Sequence, residues 1–155
     1  MTEVSDAEVG LPDDRPELTD EQVAFLASVF DLVRDGQTET VTRYLDAGVP
    51  VNLTNPNGDT LLILAAYHEH AALVGALLDR GADTERLNGR GQTALSAAVF
   101  RQQAGIVTAL VSHGANPTAG SPDARATAAY FQLTEMSALL DADAIPPVAT
   151  ARADD

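Results

Sequence analysis

The chain repeats itself over its central part. Residues 55–87 and 88–120 align without a gap and are identical at eleven of 33 positions, where a chain of ordinary composition gives about three matches by chance. A unit of this length repeated in tandem predicts a solenoid, in which each unit buries its apolar face against its neighbours. The identical positions include Gly58/Gly91, Thr60/Thr93, Leu62/Leu95, Ala65/Ala98, Val74/Val107, Leu77/Leu110 and Gly81-Ala82/Gly114-Ala115.

Each copy predicts two short helices. Thr60 and Thr93 are suited to begin the first helix, because a Thr hydroxyl accepts a hydrogen bond from the free N–H groups of a helix start. Apolar residues then recur at i, i+3 and i+4 spacing in two successive segments of the copy. Gly81 and Gly114 are suited to end the second helix in the left-handed conformation. The unit is therefore predicted to be a helix-turn-helix.

The repeated unit resembles the ankyrin repeat, whose pattern opens G-x-T-P-L-H-x-A-A and closes L-L-x-x-G-A-x-x-N. Residues 58–66 (GDTLLILAA) and 91–99 (GQTALSAAV) carry the opening part, with Ile63 and Ser96 at the position of the family's His. The resemblance implies an all-α ankyrin-repeat solenoid. In the family that His bridges the turns of adjacent repeats, so we expect weaker coupling between repeats here.

Both ends of the pattern are degenerate, as the capping repeats of a solenoid are. Thr19 and Gln22 have the spacing of a capping box, and the 33-residue register places a first repeat behind them. After Gly120 the pattern resumes with its turn shortened by about three residues. The predicted organisation is a disordered acidic segment at 1–18, an ankyrin-repeat domain at 19–142 with repeats at about 19–54, 55–87, 88–120 and 121–142, and a flexible tail at 143–155.

Charge and composition narrow the class of partner. The net charge is −14, of which residues 1–21 hold −7 and residues 141–155 hold −3. A mildly acidic solenoid without a basic stripe disfavours nucleic-acid binding. The longest apolar run, Leu61 to Tyr67, is too short to span a bilayer, and the N-terminal residues lack the apolar core of a signal peptide. The chain has no cysteine, which fits a reducing compartment, so we expect a cytoplasmic protein.

The densest group of titratable residues is His68-Glu69-His70. Histidines at i and i+2 point to opposite sides of a helix, whereas a zinc-binding helix needs them at i and i+4 around a Glu. The other histidine, His113, stands next to Gly114 at a predicted helix end, where a cation is favoured. We therefore expect no metal, no cofactor and no enzymatic activity, with metal binding or catalysis by His68, Glu69 and His70 as the alternative.

A protein partner is the expected ligand, because ankyrin arrays present turn tips and the ends of their first helices along one concave side. Aromatic and Arg side chains at such positions are typical interface anchors, although the aromatics would also suit packing between adjacent first helices. An inhibitor or immunity-type protein that blocks a basic site is the other alternative. The predicted partner-binding residues are Arg34, Asp35, Asn57, Asp59, Tyr67, His68, Arg90, Gln92, Phe100, Arg101, Tyr130 and Phe131.

Overall fold

The computed structural model describes residues 18–144, with side chains described as far as Asp141. These residues form eight α-helices, and their only β-type pairing is a bridge between Thr54 and Thr60. The prediction of an all-α fold is thereby confirmed for this part of the chain. The helices are α1 (Asp20–Arg34), α2 (Thr38–Asp46), α3 (Leu61–Tyr67), α4 (Ala71–Asp79), α5 (Ala94–Phe100), α6 (Ala104–Ser112), α7 (Ala124–Tyr130) and α8 (Thr134–Ala144).

The helices form two layers. The first helices of the repeats, α1, α3, α5 and α7, pack side by side, and the second helices, α2, α4, α6 and α8, pack in the same order behind them. Small buried residues such as Ala65 and Ala98 let the helices approach closely. This stack is the predicted solenoid of helix-turn-helix units. Its largest fully buried side chains include Leu61, Leu62, Leu73, Leu77, Leu95, Ile106, Leu110 and Leu140.

The predicted helix starts are confirmed. The Oγ1 atoms of Thr60 and Thr93 accept hydrogen bonds from the backbone N–H groups three residues later, at 3.0 and 3.1 Å. Thr19 and Gln22 form the predicted capping box. Asp123 caps α7 with its carboxylate, a helix start that the sequence analysis had not identified. Each first helix thus begins at a position fixed by one polar side chain.

The predicted helix ends and the shortened last turn are also found. Gly81 and Gly114 have φ values of 84° and 88°, the left-handed conformation that glycine adopts without a Cβ clash. The helix α7 begins 63 residues after α3, and α8 begins 63 residues after α4, which is three fewer than two full periods. Residues 1–17 and 145–155 lie outside the described residues, so the domain bounds predicted there stay predictions.

Candidate binding surface

Eight of the predicted partner-binding residues occupy one repeated structural position. Each first helix ends at one of them, and the next residue is its C-cap. The four helices therefore present two adjacent side chains each on the same edge of the stack. We call these eight residues the helix-end row: Arg34, Tyr67, Phe100 and Tyr130 are the last helical residues, and Asp35, His68, Arg101 and Phe131 are the C-caps.

Part of the helix-end row and the turn tips of two repeats enclose one cleft of about 190 Å³. Its floor is formed by Ile63 and Leu64, which the sequence analysis did not identify as site residues. The signal for Ile63 was present, because an aliphatic residue replaces the family's His at that position. We call this site the central cleft; its lining residues are Arg34, Asn57, Asp59, Ile63, Leu64, Tyr67, His68, Arg90 and Gln92.

Asp59 corrects the prediction of an exposed turn tip. It is only 6% exposed, and one of its carboxylate oxygens accepts a hydrogen bond of 2.8 Å from Asn88 Nδ2 of the next repeat. Its backbone N–H donates to Asn55 Oδ1 at 2.9 Å. Burial of a carboxylate requires such partners, because an unpaired buried charge is costly. Asp59 therefore acts inside the turn, where it ties two repeats together.

Main-chain hydrogen bonds bridge the turns where the family's His is absent. The Gly89 N–H donates to the Asn57 carbonyl at 2.8 Å, and the Ser121 N–H donates to the Gly91 carbonyl at 2.9 Å. A Cβ at position 89 would lie 2.9 Å from the Asn57 oxygen, so the close approach of the two turns requires glycine there. The turn tips thus form a continuous edge beside the helix-end row.

Tyr67 is held in place by the repeat that follows it. The guanidinium carbon of Arg101 lies 5.1 Å from the centre of the Tyr67 ring, an arrangement that favours a cation–π interaction. Arg101 also donates to Glu69 Oε2, at 2.8 Å from Nε and 2.5 Å from a terminal nitrogen. Tyr67 is therefore half-buried, with one face covered by Arg101.

The C-terminal end of the helix-end row is apolar and open. The Phe131 ring contacts the Phe100 and Tyr130 rings edge to face, with centroid distances of 5.5 and 4.9 Å. Tyr130 is 81% exposed, and the two Phe rings are about half exposed. The rings of Tyr130 and Phe131 line an apolar depression together with Pro122 and Ala126. We call Phe100, Tyr130 and Phe131 the aromatic cluster.

The imidazole rings of His68 and His70 face each other. This corrects the expectation that the two side chains would point to opposite sides of a helix. Glu69 takes a left-handed conformation, with φ of 68°, between α3 and α4. The imidazole rings of His68 and His70 consequently stack, with centroids 6.4 Å apart and an interplanar angle of 17°. Across residues 18–144, no group of three or more His, Cys, Asp or Glu side chains is arranged to hold a metal ion.

The environment of His68 disfavours its protonation. Burial in the central cleft is the largest cause that lowers the pKa of His68. The positive charges of His70, Arg34 and Arg101 lower this pKa further, and the carboxylate of Asp59 opposes them. His68 is therefore favoured as a neutral imidazole, able to donate one hydrogen bond and to accept another.

Comparison with known proteins supports the assignment made from the pattern. Residues 29–121 match the family of ankyrin repeats in three copies. A curated protein of Pseudomonas aeruginosa, whose name describes it as an ankyrin repeat protein, is 47% identical over 60 residues. This match covers 39% of the present chain and 35% of the relative, so it spans about a third of that protein's length. No helix within the described residues combines the length and apolar character that crossing a bilayer requires.

Proposed function

Because the chain belongs to the ankyrin repeat family, we propose that it is a non-catalytic module that binds a protein partner through the helix-end row and the turn tips. The observation that carries this proposal is the central cleft. Side chains from three consecutive repeats line it, including Arg34, Tyr67 and Arg90. A surface assembled from several repeats is suited to a macromolecular partner that contacts each of them.

The aromatic cluster gives the proposal a second support. Exposed aromatic rings are enriched at protein interfaces, because they bury a large area while few rotatable bonds are immobilised. Phe100, Tyr130 and Phe131 continue the same edge of the stack that forms the central cleft. The proposed interface therefore has a polar part formed by the first three repeats and an apolar part formed by the last two.

Affinity capture from a native lysate tests the proposal. The parent protein is compared with a Phe100→Ala/Tyr130→Ala variant, and retained proteins are identified by mass spectrometry. A matched control is Val23→Ala/Phe25→Ala, since these side chains on α1 are also about half exposed but lie away from the helix-end row. We expect a partner that the parent and the control retain and the first variant loses.

The opposite pattern overturns the proposal. Phe25 lines a separate apolar groove with Leu26 and Leu53 on the first repeat. A partner that is lost only by the control variant would therefore move the interface to that groove. Thermal unfolding of both variants shows whether either loss comes from unfolding.

The alternative of an inhibitor with an acidic binding surface receives less support. The central cleft is lined by Arg34 and Arg90, whereas most of the negative charge lies in residues 1–21 and 141–155. Binding of a basic partner would weaken strongly with added salt, and such a result would favour this alternative. A cytoplasmic location, based on the lack of cysteine, stays a prediction.

A further inference from the structure

The central cleft offers more hydrogen-bond donors than acceptors. Among contacts between described residues, the Arg90 guanidinium, the Tyr67 hydroxyl and the Gln92 Nε2 have no hydrogen-bond partner. The acceptors are partly used, because Asn88 Nδ2 donates to both Asp59 Oδ1 and Gln92 Oε1. A ligand group that accepts hydrogen bonds therefore complements the unpaired donors of this cleft.

The local charge points the same way. Arg34 and Arg90 line the central cleft, against the single carboxylate of Asp59. Arg34 pairs with Asp31 at 2.8 Å, so its charge is offset locally, although such an exposed pair contributes little to stability. The Asp59 carboxylate is buried and bound by Asn88. Among contacts between the described residues, Arg90 is thus the cation of the central cleft that has no carboxylate partner, on a protein of net charge −14.

We infer that the central cleft binds the carboxylate of an Asp or Glu in an extended segment of the partner, and that an apolar residue of the same segment packs on the aromatic cluster. This inference rests on the proposed function and specifies the chemistry of its ligand. Arg90 supplies charge-assisted hydrogen bonds to the carboxylate, which are stronger than bonds between neutral groups. The aromatic cluster supplies the apolar contact.

The stack fixes the spacing of the two anchors. Tyr67 and His68 of the central cleft lie at the end of α3, and Tyr130 and Phe131 lie at the end of α7, two repeats away. Neighbouring packed helices lie about 8–10 Å apart, so the anchors are separated by about 16–20 Å. An extended chain covers about 3.3 Å per residue. The acidic and apolar residues of the segment are therefore about five or six positions apart.

Selection from a displayed library of random 12-residue peptides on the full chain tests this inference. We expect enriched peptides to carry Asp or Glu about five or six positions from a large apolar residue. Selection on Arg90→Glu should replace the acidic preference by Lys or Arg while the apolar preference is kept. Selection on Tyr130→Ala/Phe131→Ala should lose the apolar preference while the acidic preference is kept.

Affinity measurements on one enriched synthetic peptide then distinguish a direct contact between Arg90 and the peptide carboxylate from a long-range effect of net charge. Arg90→Glu is expected to weaken binding about tenfold or more, and exchange of the acidic peptide residue for Lys should restore affinity for this variant. The matched control is Arg43→Glu, which makes the same change in net charge at an exposed position on α2. Equal losses for both variants would overturn the contact, because they would indicate only a general field effect.

Two further results of the peptide selection would overturn the inference. Enriched peptides without an acidic preference overturn the carboxylate site. If no peptide is enriched, the extended segment is wrong, because such a segment must bind as a peptide. The lysate capture then judges the proposed function separately, since a folded partner would still be retained there and lost by Phe100→Ala/Tyr130→Ala.

Discussion

The Nε2 atom of His70 lies 2.7 Å from the main-chain oxygen of Arg34, so the second repeat donates a hydrogen bond to the end of α1. The His70 ring also packs close to Gly36, where an added Cβ would lie 2.7 Å from the Nδ1 atom. Gly36 has a φ of 74°, which glycine adopts readily. The His70 ring thus joins the first two repeats, because it bonds to the end of α1 and packs against the backbone of Gly36.

Replacement of His70 by Ala is expected to lower the free energy of unfolding by about 1–2 kcal/mol, because it removes one hydrogen bond worth about 1 kcal/mol together with the ring contact. Urea unfolding monitored by circular dichroism measures the change. His113→Ala is the control, since its Nδ1 contacts the Ala109 carbonyl within its own helix. Losses of equal size would show that the contact between repeats has no special weight.

Asn88 should contribute more to the free energy of unfolding than Asn55, its counterpart one period earlier. Each side-chain oxygen accepts two backbone N–H bonds within its own turn, but only Asn88 also donates to the buried carboxylate of Asp59. We expect Asn88→Ala to cost about 2–3 kcal/mol and Asn55→Ala about 1 kcal/mol, because the first leaves a buried charged group without its donor. Chemical unfolding of both variants checks this, and equal costs would contradict it.

Protonation of His68 should destabilise the fold. Its pKa is lowered in the folded state, first by burial and then by His70, Arg34 and Arg101. As the pH falls through the unfolded-state pKa, the unfolded chain binds the proton more readily, so stability decreases toward acid. His68→Gln is expected to show a smaller loss between pH 7.5 and 5.5 in urea unfolding. Parallel curves for the variant and the parent would refute this cause.

The last repeat should be required for solubility. Met136 and Leu140 of α8 are buried, and α8 packs on α6. A chain that ends after Gly120 exposes the apolar face of Ile106, Val107 and Leu110, so we expect it to aggregate in light-scattering measurements. A chain that ends after Ala144 keeps α8 and should remain soluble. Cooperative unfolding of a soluble chain ending at Gly120 would contradict this assignment.

The sequence was sufficient for features that depend on local chemistry. Thr60 and Thr93 begin helices because a Thr hydroxyl caps its own helix start, and Gly81 ends one because its backbone can take a positive φ. The helix-end row could be predicted because a fixed period carries one structural position from repeat to repeat. These features follow from the local sequence and its period, and none of them depends on a contact between repeats.

Two features of the binding surface could not be predicted in the same way. Asp59 has the polar character of an exposed turn residue, and its burial depends on Asn88, 29 positions later. The stacking of His68 on His70 depends on the backbone of Glu69, a residue type that rarely takes a positive φ. The burial of Asp59 has no local sequence signal, because it arises when two separate segments pack together. The stacking of the two histidines has none, because the residue type of Glu69 does not indicate a positive φ.

The linker between the two helices of a repeat has a consequence for modularity. Gly36 takes the left-handed conformation in the first repeat, whereas Glu69, Gln102 and Gln132 take it in the others, with φ of 57–68°. A non-glycine residue is strained there, but the Glu69 side chain holds Arg101 of the next repeat. Transplanting the first linker into the second repeat would relax the backbone and release Arg101 from Tyr67. The repeats are therefore not interchangeable. An array with its repeats in another order would lose the contact of Glu69 with Arg101 between neighbouring repeats, even if every unit kept its own helices.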